Sequence, residues 1–382
     1  MKILLFYANA GHGHKQVAQV IAAEFKKRGL TDHEVKLFDA LDFTPAFFRK
    51  SYPAVYQYAV KNIPGLWGWF YETLDKINFY RWLHPLRSLH NRLMALRLLD
   101  LVRKEKPDAI LCTHFLSSEF FANARRKGEI TAKVIAVITD FLPHTFWVTK
   151  GMDLYWVMGE EGARELEHRG IPESRIRAAG IPVAPVFRPK GIKNEIRAKW
   201  GFSPERLTLL MTSGSFGLGP QEQMLDALAP FKDRIQCFVV CGNNNGLKLI
   251  LEKKNFPFSV KIFGFIDFMA DLMEASDLII AKSGGSTTTE ALTKEVPMIV
   301  IDPIPGQETR NADVLKSRNA AFIMNQPAQL KTIIQAILNN PEILEAKKTE
   351  IRRLAKPEAA KDLVDWVLDE GTGRKPLPVP SS

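Results

Sequence analysis

Short apolar runs alternate with stretches of helical periodicity along nearly the whole chain. In the first half the runs fall at 2–8, 34–39, 108–113, 133–139 and 153–158. In the second half they fall at 207–212, 235–241, 259–264, 277–281, 297–301 and 320–324. Many are continuous Val/Ile/Leu runs ("VIAVIT", "LTLLM", "DLIIAK", "PMIVI") rather than alternating ones. Strands covered by helices on both faces have this pattern, so the chain is predicted to be α/β with parallel sheets. Two sets of strands imply two Rossmann-like, doubly wound domains facing each other across a cleft, with ligands at the carboxyl ends of their strands. The proline-rich "GIPVAPVFRPKG" (Gly180 to Gly191) separates them, since prolines break helix and sheet alike. The expected division is 1–183 and 184–349. A helical stretch follows over about 341–369, its part at about 350–370 returning to the first domain. A Pro/Ser tail, 371–382, is expected to be disordered.

The length, 382 residues, agrees with two domains, because single cores stop growing near roughly 300 residues. Only three cysteines occur; Cys237 and Cys241 in "QCFVVCG" read as small buried strand residues rather than metal ligands. Such usage fits a reducing cytoplasm, and no apolar run reaches the roughly 18 residues of a membrane span. The net charge is +10, and its location changes the picture. Between Arg49 and Lys106 eleven Lys/Arg face four acids, so +7 sits in one segment that also holds Trp67, Trp69, Phe70, Tyr71, Tyr80 and Trp82. Basic residues interleaved with aromatics suit an anionic surface. No nucleic-acid-binding motif accompanies them, so a membrane face is the expected partner and nucleic acid is not, with a buried aromatic core as the alternative for these residues.

Three turns carry candidate chemistry. The first strand run ends in Gly11-His12-Gly13-His14, where Gln16 stands in place of the third glycine of a dinucleotide fingerprint. His12 is read as a turn residue; His14, in a first helical turn, is placed to take a proton from a hydroxyl. "TSGSFGLG" (Thr212 to Gly219) and "AKSGGSTTTEAL" (Ala281 to Leu292) each follow a strand and open a helix, so their amides can cradle a diphosphate. Ser286 or Thr287 with Glu290 also fits a plain capping box. Neither turn has P-loop spacing. In "IDPIPGQETRNAD" an amide and a carboxylate, Gln307 and Glu308, stand side by side at a helix start, as sugar hydroxyls require, or as a solvated helix start would.

These residues resemble a family. "GHGHKQVAQ", "VITDFLPHTFWV", "GIPV", "CGNNNGLK", "GFIDFMADLMEASDLIIAKSGGSTTTEAL" and "PIPGQETRNAD" run in order from residue 9 to about 325. They are similar to the GT-B glycosyltransferases that build glycolipids on diacylglycerol, the processive diacylglycerol glucosyltransferases and the monogalactosyldiacylglycerol synthases. The GlcNAc transferase that forms lipid II shares the architecture. The resemblance implies inverting transfer of glucose or galactose from UDP-glucose or UDP-galactose to diacylglycerol or a glycosyl-diacylglycerol, with no cofactor and no bound metal. It assigns the donor to Gly13, Ser213, Gly214, Ser215, Ser283, Gly284, Gly285, Ser286 and Thr287 around the diphosphate. Phe265 and Ile266 take uracil, Glu290 the ribose, and Gln307 and Glu308 the sugar. His14 is the candidate base; Asp140 either holds its imidazole in one tautomer or is itself the base. Acceptor and anionic-membrane contact go to Trp67, Trp69, Phe70, Arg81, Trp82, His144 and Trp147, with the protein peripheral on the inner face of the cell membrane. Phe216 departs from the small or polar residues common in the phosphate loop. Two other functions stay open: transfer to a polyprenyl-linked acceptor, and a non-catalytic UDP-sugar-binding sensor.

Overall fold

A computed structural model describes residues 1–9, 11–75, 97–212, 214, 217, 219–301 and 303–372. The chain divides into two units: Met1–Ala184 joined by the segment from Lys356 onward, and Pro185–Ala355.

In the first unit six strands form one sheet: β1 (Ile3–Tyr7), β2 (Val35–Asp39), β3 (Ala109–Cys112), β4 (Lys133–Val137), β5 (Leu154–Val157) and β6 (Ile176–Ala178). Their order is β2-β1-β3-β4-β5-β6, and every pairing is parallel. Ile3, Leu4, Leu5 and Phe6 are all fully buried, because helices cover both faces of β1. Each such side chain contributes about 2 kcal/mol of transfer free energy, which is why a five-residue run suffices to hold a strand. β6 lacks this signal: three residues, only Ile176 buried, at the sheet edge.

The sequence order reverses between β1 and β3. That is the topological switch point, where the connections leave in opposite directions and open a crevice at the strands' carboxyl ends. The helix α1 (His12–Lys27) follows β1, and the helix Phe115–Arg126 follows β3. Two further helices, α2 (Ala46–Asn62) and α3 (Pro64–Asp75), form the start of the basic–aromatic segment. Arg169 pins the end of α3 by donating to Asp75 at 2.8 Å.

The second unit repeats the design with β7 (Leu207–Thr212), β8 (Ile235–Val240), β9 (Ser259–Phe263), β10 (Leu278–Ala281), β11 (Met298–Ile301) and β12 (Ala321–Met324). Its order, β12-β11-β10-β7-β8-β9, is all parallel and reverses between β7 and β10. Cys237 and Cys241 are buried free thiols in and beside β8. A buried ion pair, Lys294 to Glu274 at 2.7 Å, anchors the entry of this unit. Lys294 also donates to the Arg188 carbonyl, and Glu274 accepts from the amides of Lys190 and Gly191.

The helical stretch expected over 341–369 is two helices, Glu342–Leu354 and Ala359–Thr372. Pro357 forces the break, since the residue before a proline is driven out of helical geometry. The second helix packs on α1, where Arg28 pairs with Asp365. Gly180, at φ +99, lies beside the lead-in to that helix, and a Cβ there would stand 2.3 Å from Lys356 Cβ. Of the tail expected over 371–382, Gly371 and Thr372 still belong to this helix, and residues 373–382 lie outside the described residues.

Candidate active site

His14 stands in the first turn of α1, at the switch point of the first sheet. Its Nδ1 lies 2.7 Å from the carbonyl oxygen of Thr113, the residue that follows β3. A carbonyl only accepts, so Nδ1 carries the proton and Nε2 is the basic nitrogen. Thr139 Oγ1 lies 3.0 Å from the same Nδ1. The Thr113 hydroxyl donates to the His14 carbonyl at 2.9 Å, which fixes the turn that presents the ring. Loss of hydration lowers the His14 pKa to about 4, against the Thr113 bond that raises it, so the imidazole is neutral at physiological pH. Asp140, the next residue after Thr139, is buried.

Gly11 is the N-cap of α1, with extended backbone (φ −179) and no side-chain cap. A Cβ on Gly11 would meet nothing within 4 Å, so neither its conformation nor its neighbours demand a glycine. Gly13 follows inside the first turn and is half-buried.

A second imidazole stands beside the first. His114 N-caps the helix after β3, and its ring centroid is 4.7 Å from that of His14 at 78°. It is 2% exposed, and burial, with His14 as the lesser cause, pushes its pKa well below the ordinary histidine value. The Tyr52 ring, from α2, is 6.4 Å from it, and burial drives the Tyr52 hydroxyl up to about 12. Thr113, His114, Thr139 and Tyr52 were not among the sequence candidates. The signal was present for two of them: Thr113-His114 directly follows the fully buried "AILC".

In the second unit the turn after β10 delivers Ser283, Gly284 and Gly285. The helix Gly285–Thr293 starts at the second glycine, with Gly284 as N-cap and no side-chain cap. The capping box of Ser286 or Thr287 with Glu290 is therefore not what starts this helix. The Ser286 and Thr288 hydroxyls are buried with no hydrogen-bond partner among the described residues. Uncapped amides and partnerless hydroxyls at a helix start are the groups that take a phosphate. The turn after β11 joins them: Ser283 Oγ donates to the Glu308 carbonyl at 2.6 Å, and Asn311 Nδ2 donates to the Ser283 carbonyl at 2.9 Å. Glu308 itself accepts from the Ile304 amide at 2.7 Å, and Gln307 beside it is half-buried. Glu290 is buried within the helix.

After β7, Gly214 has φ +67 and Gly217 has φ +59. At Gly217 a Cβ would lie 2.0 Å from the Cys241 carbonyl oxygen, and Asn244 donates to the Gly217 carbonyl at 3.1 Å. This loop is thus bound to the end of β8. Ser213, Ser215 and Phe216 lie outside the described residues. Phe265, just past β9, is 60% exposed, and Ile266 is half-buried.

Two acceptor-side expectations need correction. Trp147 is 1% exposed and packs edge-on to Phe115 within the core. His144 is equally buried: its Nδ1 caps the Phe146 amide and its Nε2 donates to the Tyr71 carbonyl. His144 ties the loop 141–148 to α3, Trp147 ties it to the helix after β3, and both are buried. Trp69 and Phe70 are exposed, and Trp67 is half-buried. Arg81 and Trp82 lie outside the described residues.

With two Rossmann-like units, one carrying a poised imidazole and the other an uncapped phosphate-type helix start, the molecule has the build of a GT-B glycosyltransferase. Residues 14–183 match the monogalactosyldiacylglycerol (MGDG) synthase family, and residues 208–363 match the glycosyltransferase family 28 C-terminal domain. A processive diacylglycerol beta-glucosyltransferase of Bacillus cereus (strain AH187) is 29% identical over 379 residues, covering 97% of this chain and 94% of the relative. The enzyme of that name from Bacillus cytotoxicus is 29% identical over 392 residues, covering 100% and 97%. Among solved structures, Acinetobacter baumannii MurG superposes with a TM-score of 0.65 at 16% identity, over 96% of this chain and 99% of that one. Anabaena Alr3699/HepE in complex with UDP-glucose gives 0.57 at 13%, over 97% and 100%. The first half of the chain thus matches the MGDG synthase model and the second the family 28 C-terminal domain, and the chain as a whole is similar to the processive diacylglycerol glucosyltransferases.

Proposed function

We propose that the protein transfers a hexose, glucose or galactose, from a UDP-sugar to the hydroxyl of diacylglycerol or a glycosyl-diacylglycerol, with inversion at the anomeric carbon. The single observation that carries this reading is the neutral His14, tied through Nδ1 and basic at Nε2. A lipid hydroxyl has a pKa far above 7, so its proton must leave as the oxygen attacks. In the proposed step the hydroxyl oxygen bonds to the anomeric carbon, and its proton passes to His14 Nε2. The bond from that carbon to the diphosphate oxygen breaks, and its electron pair departs on UDP. Asp140, buried three residues past β4, would either support the imidazole or serve as the base in its place.

The leaving diphosphate would be met by the amides of the Gly285–Thr293 helix start and by the Ser286 hydroxyl, with Ser213 to Ser215 on the neighbouring loop. Glu290 would accept from ribose hydroxyls, Gln307 and Glu308 from the sugar, and Phe265 and Ile266 would flank uracil. The relatives named for diacylglycerol favour that acceptor over a polyprenyl-linked one. Exposed apolar side chains on α2 and α3 favour work at a membrane face, here the inner face of the cell membrane.

The test is transfer itself. Labelled UDP-glucose and UDP-galactose are supplied in turn with vesicles containing diacylglycerol, and lipids are resolved by thin-layer chromatography. Label in a β-linked glycosyl-diacylglycerol, lost in His14→Ala, is expected. Label only in a polyprenyl-linked product, or UDP-sugar binding with no labelled lipid at all, would overturn the reading.

A further inference from the structure

Two parallel strands flank the switch point of the first sheet, and each leads into a histidine: His14 after β1 and His114 after β3. The two rings lie against each other, 4.7 Å between centroids, in opposite tautomers. His14 is protonated on Nδ1, which faces the Thr113 carbonyl. His114 accepts the Leu116 amide on Nδ1 at 3.2 Å, so its proton is on Nε2. That Nε2–H forms no hydrogen bond with the described residues, while His114 as a whole residue is 2% exposed. Capping the helix does not explain it. Serine, threonine, aspartate or asparagine would cap as well without bringing a second polar group beside His14. The ring is also held in place, stacked on Phe115 at 4.3 Å with Tyr52 edge-on beyond it.

We propose that His114 is an acceptor-orienting residue, whose Nε2–H donates to the oxygen of the hydroxyl that gives its proton to His14 Nε2. The inference rests on the transfer reading above. One imidazole accepts from the acceptor hydroxyl and the other donates to it, which leaves one oxygen lone pair for the anomeric carbon. His114 keeps its proton throughout, so the balance of the transfer step is unchanged.

Two substitutions separate this role from capping. In His114→Asn the side-chain oxygen takes the place of Nδ1 and caps, but nothing reaches the position of Nε2. In His114→Gln the amide nitrogen reaches that position, and the cap is lost. The expected result for Asn is a wild-type melting temperature and UDP affinity with kcat toward diacylglycerol down about tenfold. For Gln it is a lower melting temperature with kcat within about threefold of wild type. Wild-type kcat in the Asn variant, or losses that follow melting temperature in both, would overturn the proposal. A second readout does not need turnover: titrating dioctanoylglycerol into the wild-type protein should shift the His114 Nε2 resonance together with that of His14. No shift at His114 overturns the inference; a shift without any sugar transfer overturns the transfer reading alone.

Discussion

His14 and Thr113 hold each other reciprocally: the imidazole Nδ1 meets the Thr113 carbonyl at 2.7 Å, and the Thr113 hydroxyl returns to the His14 carbonyl at 2.9 Å. The first turn of α1 is thereby joined to the end of β3 across the switch point of the sheet. An imidazole held this way is kept in one tautomer, and burial keeps it neutral. The His14 ring should titrate with a midpoint near 4 by NMR, and kcat/KM should be flat from pH 8 down to about 5. A midpoint near the ordinary 6.5 would sink this assignment. His14→Ala should cost about 100- to 10,000-fold in kcat while leaving UDP affinity unchanged.

The same shift bears on stability, and its sign is fixed. Both His14 and His114 are lowered in the folded protein, so between the ordinary value and the folded one the unfolded chain binds more protons. Stability is then full above about pH 6.5 and falls as pH drops, by up to about 1.4 kcal/mol per pH unit for each ring. For His14 that loss continues down to about pH 4. Melting curves from pH 7.5 to 5 should show this fall, and His14→Gln should make it shallower. An unchanged slope in the variant would contradict the burial of the neutral ring.

Much of this architecture was legible in the chain because burial on two faces leaves continuous apolar runs. "ILLFY", "VIAV" and "IQCFVV" announce β1, β4 and β8, whereas β6, three residues at an edge with Arg177 in its middle, carries no such run. His14 was legible because glycines mark its turn. Thr113, His114 and Thr139 were not, because their importance depends on β1, β3 and β4 lying side by side, and that order is set in three dimensions. His144 and Trp147 misled for the converse reason. The resemblance put them on the acceptor side, yet Tyr71 and Phe115 bury them.

The Ser286 hydroxyl, without a partner among the described residues, allows a prediction whose two halves differ in sign. Removing a buried, unsatisfied hydroxyl should not destabilise the free protein, so Ser286→Ala should melt at or above the wild-type temperature. If that hydroxyl meets the diphosphate, the same variant should lose about three- to tenfold in UDP affinity, read by calorimetry. Equal affinity would remove Ser286 from the donor site. A lower melting temperature would mean that it has a structural partner after all.

Gly217 and Gly284 separate a glycine the fold requires from one a ligand would require. At Gly217 an added Cβ meets the Cys241 carbonyl oxygen at 2.0 Å in a left-handed backbone, so Gly217→Ala should destabilise the protein by more than about 2 kcal/mol. At Gly284 the backbone is ordinary (φ −63) and the nearest atom, Glu308 Oε1, is 3.6 Å away. Gly284→Ala should therefore fold normally, and any loss of UDP affinity would report the approach of phosphate to the backbone. Equal destabilisation of the two variants in denaturant would refute the distinction.

The exposed side chains of α2 and α3 are spaced to form stripes. Phe47, Val55 and Tyr58 recur at positions that share one face of α2, and Leu66, Trp69 and Phe70 share one face of α3. Phe47 is 83% exposed and Trp69 64%, so the fold gains little from their apolar surface. A bilayer interface would gain about 2 kcal/mol from each. Phe47→Ser with Trp69→Ser should therefore leave the melting temperature unchanged and weaken sedimentation with anionic vesicles by at least about tenfold. Binding of the wild type should also fall with added salt, because the basic residues of the same segment act through a screened field. A double variant that sediments like wild type would move the membrane contact away from α2 and α3.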